Sequence, residues 1–194
     1  MVTVPELLFA GSAVGLGAFV VGAASSTVAF VRASDGREYL TQNFPDRRLA
    51  AEALARLRTK LEALIAHLRA AHGDDPRTRL LVANINLESL AEGSNRGRLT
   101  SYTTSKSDIT MCLRSKETDA IEDDSLLTFV LLHEAAHCAT PLSANPHADP
   151  HDAAFWENFR FMLASAVEAG VWAKRDFKSN PARFCGVPVT DSPL

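Results

Sequence analysis

The pattern of hydrophobic and polar positions changes several times along the chain, and each change predicts an element. Leucines recur at three- and four-residue steps over Asp46 to His72, which predicts a long amphipathic helix that Gly73 ends. Runs rich in β-branched and aromatic residues follow and predict strands: RLLVANINL, Arg79 to Leu87, and then a hairpin over Leu99 to Leu113. The turn of this hairpin is expected at Lys106-Ser107-Asp108.

Two further helices are predicted in the last third of the chain. Asp123 and Asp124 offer N-capping side chains for an apolar helix over residues 126–138, and Pro141 stops it. A proline-rich loop leads to a second helix over about 151–171. A long helix, a short antiparallel sheet and two later helices predict an α+β fold.

The N-terminal part of the chain has a different pattern, since Leu7 to Val31 is apolar and contains no charged residue. This run exceeds the about 20 residues that a helix needs to cross a bilayer, so it predicts one transmembrane helix. A cleaved signal peptide should begin with basic residues, and Met1 to Glu6 has none. The predicted division is therefore a short N-terminal flank (1–6), a transmembrane helix (7–31), a polar linker (32–45) and one domain (46–194).

Charge suggests an orientation and a set of partners. All Lys and Arg residues lie after the apolar run, beginning with Arg32 and Arg37, which predicts a single-pass membrane protein with its domain on the cytosolic side. Gly11 and Gly15 form a small-residue pair through which two such helices would self-associate. The net charge of −3 argues against nucleic acid as a partner, although the basic excess between Arg32 and Lys116 leaves it open.

Three cysteines, Cys112, Cys138 and Cys185, cannot all pair with one another. Their scatter through apolar segments favours free thiols in a reducing compartment. One disulfide and one free thiol are the alternative.

The apolar helix carries His133, Glu134 and His137 in its middle, which is an HExxH motif. Residues i and i+4 lie on the same helix face, so the two imidazoles can bind one Zn²⁺ ion. Glu134 then lies beside the ion, where it can act as general base on a water that zinc has made acidic. Burial of these polar side chains in an apolar helix would otherwise be costly.

A catalytic zinc needs a third protein ligand. We predict His151, at the start of the next helix, with Asp152 as a capping or supporting carboxylate. His147 is the alternative, and Glu157 or Glu168 would give a His₂Glu site instead.

The segments ITMCLRS, LLTFVLLHEAAH and PHDAAFW together resemble the WLM and SprT-like zinc metallopeptidases over about Arg98 to Val171. The resemblance implies a small zincin-like metallopeptidase domain in which His133, His137 and His151 bind zinc and Glu134 is the base. It also implies that an edge strand binds an extended substrate, for which Ile109 to Leu113 is placed, with a core strand as the alternative. The ending NPARFCGVPVTDSPL, with the apolar N-terminal run, resembles the forms encoded by large DNA viruses, which implies a viral protein and a virion membrane.

Three functions follow from these observations. The preferred one is a membrane-anchored zinc endopeptidase acting on a protein or peptide substrate. The second is a zinc-binding membrane or virion structural protein with little turnover. The third is a protease that repairs DNA–protein crosslinks, the role that the resembled family implies.

Overall fold

The long helix predicted by the leucine pattern is confirmed and forms the centre of the fold. The computed structural model describes residues 27–96, 100–143, 145, 147 and 149–194. Helix α1 runs over Arg47–Ala71 and ends at His72. Its apolar face is fully buried because the leucines recur once per helical turn. The buried leucines and isoleucine are Leu54, Leu57, Leu61, Leu64, Ile65 and Leu68.

The residues before α1 form a hairpin, which corrects the predicted transmembrane helix and linker. Strand β1 (Val28–Arg32) pairs antiparallel with β2 (Glu38–Gln42), and Gly36 takes a positive φ of 82° in the turn. An Asp-Gly pair between runs of β-branched and aromatic residues is a hairpin signal, and the apolar run masked this signal. The predicted span therefore cannot extend to Val31.

The rest of the predicted span, residues 7–26, lies outside the described residues, as do the flank 1–6 and the pair Gly11 and Gly15. Within the described ranges, every helix is too short or too polar to cross a bilayer. Over the described residues the fold is therefore α+β with no membrane-spanning helix, and the predicted single-pass membrane protein with a cytosolic domain is not supported there.

The segment predicted as the strand Arg79 to Leu87 is a helix. Helix α2 runs over Pro76–Asn84, and a 3₁₀ turn follows at Leu87–Ser89. Asp75 caps α2 by accepting a hydrogen bond from the backbone N–H of Arg77. An Asp N-cap followed by proline at the first helical position is a strong helix start, and it outweighs the β-branched residues downstream.

A three-stranded sheet lies beside helix α3 (Asp124–Cys138), which carries the HExxH motif. It consists of β3 (Ala91–Glu92), β4 (Tyr102–Thr104) and β5 (Asp108–Met111) in the order β3-β5-β4. The predicted hairpin is therefore present, but its second strand is central and β4 is at the edge, which corrects the placement of Ile109 to Leu113 as the edge strand. The strand β3 comes from a distant, two-residue segment that pairs parallel to β5 and gives no sequence signal of its own.

The two helices predicted in the last third of the chain are confirmed. Helix α3 runs over Asp124–Cys138 and is capped by Asp123, and α4 runs over Ala153–Glu168 and is capped by Asp152. The two helices pack together through Phe129 and Phe159, whose ring centroids are 5.2 Å apart. A final hairpin of β6 (Ala182–Phe184) and β7 (Val187–Val189) follows α4.

A buried ion-pair network fixes the sheet against the start of α1. Arg114 is 1% exposed and donates from Nε to Oε1 of Glu92 over 2.7 Å. Its Nη1 also bonds Asp46, the residue before α1, at 3.0 Å. Glu92 in turn accepts from the backbone N–H of Gln42 in β2. The network therefore joins the hairpin β1-β2, the three-stranded sheet and the N-terminus of α1.

Candidate metal centre

Helix α3 presents His133, Glu134 and His137 as the sequence predicts. The imidazole centroids of His133 and His137 are 5.0 Å apart, as expected for residues one turn apart on one face. Both rings are partly buried, and Glu134 is only 3% exposed. The apolar remainder of the helix is packed into the core on its other faces.

The loop between α3 and α4 brings His151 to these two histidines. Nε2 of His151 lies 3.1 Å from Nε2 of His133, and its ring centroid is 5.0 Å from each of the other two rings. Each of the three residues offers one nitrogen atom, and these atoms all lie within 4.8 Å of one another. The predicted three residues are thus together in space.

The alternative third ligands lie elsewhere. His147 is exposed, and its backbone N–H bonds the side chain of Asn145. Glu157 is exposed on α4, and Glu168 lies at the far end of that helix beside His67. Asp152 caps α4 by accepting from the backbone N–H of Phe155, so it fixes the helix start next to His151.

The ring of Phe155 packs against all three imidazoles. This fully buried ring stacks on His137 with a centroid distance of 4.4 Å, and it meets His133 and His151 edge-on at 4.8 and 4.7 Å. A buried aromatic ring in contact with all three imidazoles limits their rotation. Their nitrogens are therefore held in one arrangement before any ion binds.

Burial keeps the three imidazoles neutral. It lowers the pKa of His133 to about 3 and that of His137 to about 4, and the neighbouring histidines add to both shifts. The pKa of His151 is also lowered, mainly by burial. A neutral imidazole is the form that binds a metal, so the cluster is ready to bind near neutral pH.

Glu134 is a buried carboxyl group held by one hydroxyl. Burial raises its pKa to about 7, and the hydrogen bond from Thr103 opposes this shift. The Thr103 hydroxyl donates to Oε2 of Glu134 over 2.7 Å, and the carbonyl oxygen of Glu134 is 3.2 Å from the same hydroxyl. A carboxyl group with a pKa near neutral pH is suited to take and give a proton.

The histidines and Glu134 line a cleft of about 710 Å³. Strand β4 and its turn form one side, where Ser105 and Lys106 take positive φ values of 53° and 60°. Much of the apolar lining comes from α3 and from the C-terminal hairpin. These residues are Phe129, Val130, Phe184, Val187 and Val189.

A disulfide between Cys112 and Cys185 ties the C-terminal hairpin to the residue after β5. Cys138 is a buried free thiol. The expectation of three free thiols is therefore wrong, and the alternative of one disulfide and one free thiol is the arrangement found. The pairing escapes sequence reasoning because the two residues are 73 positions apart and no local pattern relates them.

Two features of the site were missed by the sequence analysis. Thr103 stands in a predicted strand, SYTTS, where its side chain gives no sign of contact with Glu134. The C-terminal hairpin was not predicted at all, since its strands are three residues each. The alternation in RFCGVPV, with a glycine at its centre, is the signal that would have suggested a hairpin.

Comparison with known proteins gives one viral relative. The chain is 28% identical over 163 residues to uncharacterized protein R325 of Acanthamoeba polyphaga mimivirus, and the match covers 81% of this chain and 80% of that protein. No protein-family model matches the chain, and no solved structure matches it. The relative's name states no activity, so membership of the WLM and SprT-like peptidases stays a prediction.

Proposed function

We propose that this protein is a zinc-dependent endopeptidase in which His133, His137 and His151 bind the ion and Glu134 is the general base. The observation that carries the proposal is the convergence of three neutral imidazoles and one buried carboxyl group in a single cleft. A structural zinc site usually has four protein ligands, whereas three ligands leave a position open for reaction.

The donor set suits zinc. Two nitrogen atoms bound to one zinc at about 2.0–2.1 Å in tetrahedral geometry lie roughly 3.3 Å apart, and Nε2 of His133 and His151 are 3.1 Å apart. When bound, zinc would supply a Lewis acid that polarises the scissile carbonyl group and makes water more acidic.

Glu134 performs the proton transfers in this proposal. It takes a proton from the attacking water as the water oxygen bonds to the carbonyl carbon, and it gives the proton to the amine nitrogen as the C–N bond breaks. The hydrogen bond from Thr103 holds one carboxylate oxygen, which leaves the other to face the reacting water.

The cleft suits an extended peptide with a large apolar side chain. Strand β4 is an edge strand whose residues line the cleft, so its free edge can pair with a substrate backbone. The apolar side of the cleft, with Phe129 and Phe184, then faces the substrate side chains. Backbone pairing with β4 would set the direction of the bound peptide, and the apolar surface would favour peptides with large apolar side chains.

The test compares variants of the purified full chain on a quenched-fluorescence peptide library. Glu134→Gln keeps the side-chain shape but removes the basicity, so hydrolysis should fall by a factor on the order of 10² or more while zinc content stays at the wild-type level. His133→Ala and His151→Ala should each lose one zinc per chain, and His147→Ala should lose none. An unimpaired Glu134→Gln enzyme would refute the mechanism. A wild-type chain that holds zinc in this cluster and cleaves no library member would favour the zinc-binding structural role instead.

A further inference from the structure

A second group of metal-binding side chains lies at the C-terminal ends of α1 and α4. His67 stands in the last turns of α1, His72 caps that helix, and Glu168 is the final residue of α4. Oε2 of Glu168 lies 3.5 Å from Nε2 of His67 and 3.9 Å from Nε2 of His72. We propose that these three residues form a second site for a divalent transition-metal cation such as Zn²⁺, which would connect the end of α1 to the end of α4.

The spacing of the donor atoms is close to that of a bound ion. One nitrogen or oxygen atom from each residue lies within 4.8 Å of the other two. Ligand atoms at about 2.0–2.2 Å from a tetrahedral zinc are roughly 3.3–3.6 Å apart, so small side-chain rotations suffice to close the site. Glu168 is exposed, which leaves it free to rotate and leaves room for water as a further ligand.

The Nε2 atom of His67 provides independent evidence for a bound cation. This atom is buried and makes no hydrogen bond with any described residue. A buried polar atom without a partner is costly, and native proteins rarely leave one. A cation bound between His67 and Glu168 would satisfy this nitrogen, and the 3.5 Å gap to the carboxylate is wider than a good hydrogen bond.

The surroundings suit a cation. The carboxyl ends of two helices converge at the site, and the partial negative charge there favours positive charge. The nearby Arg77 stacks over Phe161 with 3.8 Å from its guanidinium carbon to the ring centroid, and Asp75 neutralises it through a 2.6 Å ion pair. Phe161 in turn packs edge-on against His72, with centroids 5.4 Å apart, and so supports that imidazole.

The second site is separate from the candidate catalytic cluster. Glu168 and His151 lie at opposite ends of α4, whose 16 residues span about 24 Å. A metal at the second site would tie the end of α4 to α1 and so hold the helix whose first turn supports His151. This role does not depend on peptide hydrolysis.

The test uses the full chain with His133→Ala and His137→Ala, so that the first cluster cannot bind. After chelation and removal of the chelator, titration with Zn²⁺ should show one bound equivalent and a rise in melting temperature. Adding Glu168→Gln or His72→Ala to this background should weaken that equivalent by on the order of tenfold or more, since loss of even a supporting residue of a metal ligand costs 10–100-fold. Adding His147→Ala is the matched control and should change nothing.

Glu168→Gln keeps the proposal testable if a histidine variant fails to fold, because the glutamate is exposed and nearly isosteric with glutamine. The proposal is overturned if the double variant binds no zinc, or if its zinc persists with equal affinity in Glu168→Gln. A wild-type chain with one zinc and peptidase activity would leave the catalytic cluster standing and remove only the second site. Two bound zinc ions without hydrolysis would support the second site and count against the proposed peptidase function.

Discussion

Thr103 donates a hydrogen bond to Glu134 over 2.7 Å, so a single hydroxyl group positions the proposed base. Thr103→Val keeps the shape and removes the donor. Because that bond favours the ionised carboxylate, its loss should raise the pKa of Glu134 and move the acidic limb of the kcat/KM profile to higher pH. The rate at neutral pH should fall by about tenfold, which is less than the roughly 10²–10⁴-fold that complete loss of a general base costs.

Thr103→Ser should restore both the rate and the pH profile, because serine supplies the same hydroxyl group. Thr104→Val is the matched control, since Thr104 is the exposed neighbour on the other face of β4. A pH profile that stays in place in Thr103→Val would show that Thr103 is only a packing residue.

Burial of Glu134 should also make the stability of the metal-free chain depend on pH. Its pKa is about 7 in the folded state against an ordinary value of 4.5, so between these pH values the folded chain binds more protons than the unfolded chain. Stability due to this group is therefore complete below about pH 4.5 and is lost as pH rises through 7. The loss is on the order of 3 kcal/mol for a shift of this size.

Glu134→Gln removes this titration, so the metal-free variant should gain stability relative to wild type as pH rises from 5 to 8. Urea unfolding in the presence of a chelator measures this difference. The lowered pKa values of His133 and His137 act in the opposite direction, with stability lost as pH falls below 6.5, but they are present in both chains. An equal stability difference at both pH values would contradict the prediction.

Sequence reasoning could predict that the three histidines and Glu134 lie together because their spacing along the chain follows from helix geometry. His133 and His137 share a helix face at i and i+4, and His151 follows a loop that must return to α3. Thr103 could not be found in this way, since its contact with Glu134 depends on how β4 packs against α3.

The network of Arg114, Glu92 and Asp46 joins the hairpin β1-β2 and the three-stranded sheet to α1, and its removal should lower the free energy of unfolding. Arg114→Met leaves the buried carboxylate of Glu92 without its cation, which should cost about 3–5 kcal/mol. Arg96→Met is the matched control, because its ion pair with Asp119 is exposed and should contribute less than about 1 kcal/mol. Urea unfolding measures both.

A double variant with Arg114→Met and Glu92→Gln checks the reason for this cost. It should be less destabilised than the sum of the two single variants, because neither side chain is left charged and unpaired. Additive losses would show that the two residues act independently.

Helices were predicted well where a long apolar repeat or a capping aspartate marked them, and strands were predicted poorly where pairing decided the outcome. Helix α1 has a long repeat of buried leucines, and α3 and α4 begin at capping aspartates. Residues 28–31 have the same composition as the apolar run before them, and only pairing with β2 makes them a strand. For α2, the Asp75-Pro76 start was the deciding signal.

The cleft combines three parts of the chain that are far apart in sequence. Strand β4 supplies one side, α3 supplies the histidines and Glu134, and the hairpin β6-β7 supplies much of the apolar side. The Cys112–Cys185 disulfide connects the end of β5, the strand that pairs with β4, to the hairpin β6-β7. Such an assembly depends on contacts between residues that are far apart in sequence, so no short segment of the sequence predicts it.

The disulfide should therefore affect stability and substrate binding, but not the metal. Replacing Cys112 and Cys185 by serine opens a loop of 73 residues, which should lower the free energy of unfolding by about 4 kcal/mol. Phe184, Val187 and Val189 lie beside Cys185 in the hairpin, so a looser hairpin should raise KM for peptides with large apolar side chains. Zinc content should stay unchanged, because the three histidines lie on α3 and at the start of α4.

Cys138→Ala is the control, since it removes the free thiol and keeps the disulfide. Melting curves and peptide kinetics with and without reductant check both effects, and a reduced chain with the wild-type melting temperature and KM would exclude this role for the disulfide.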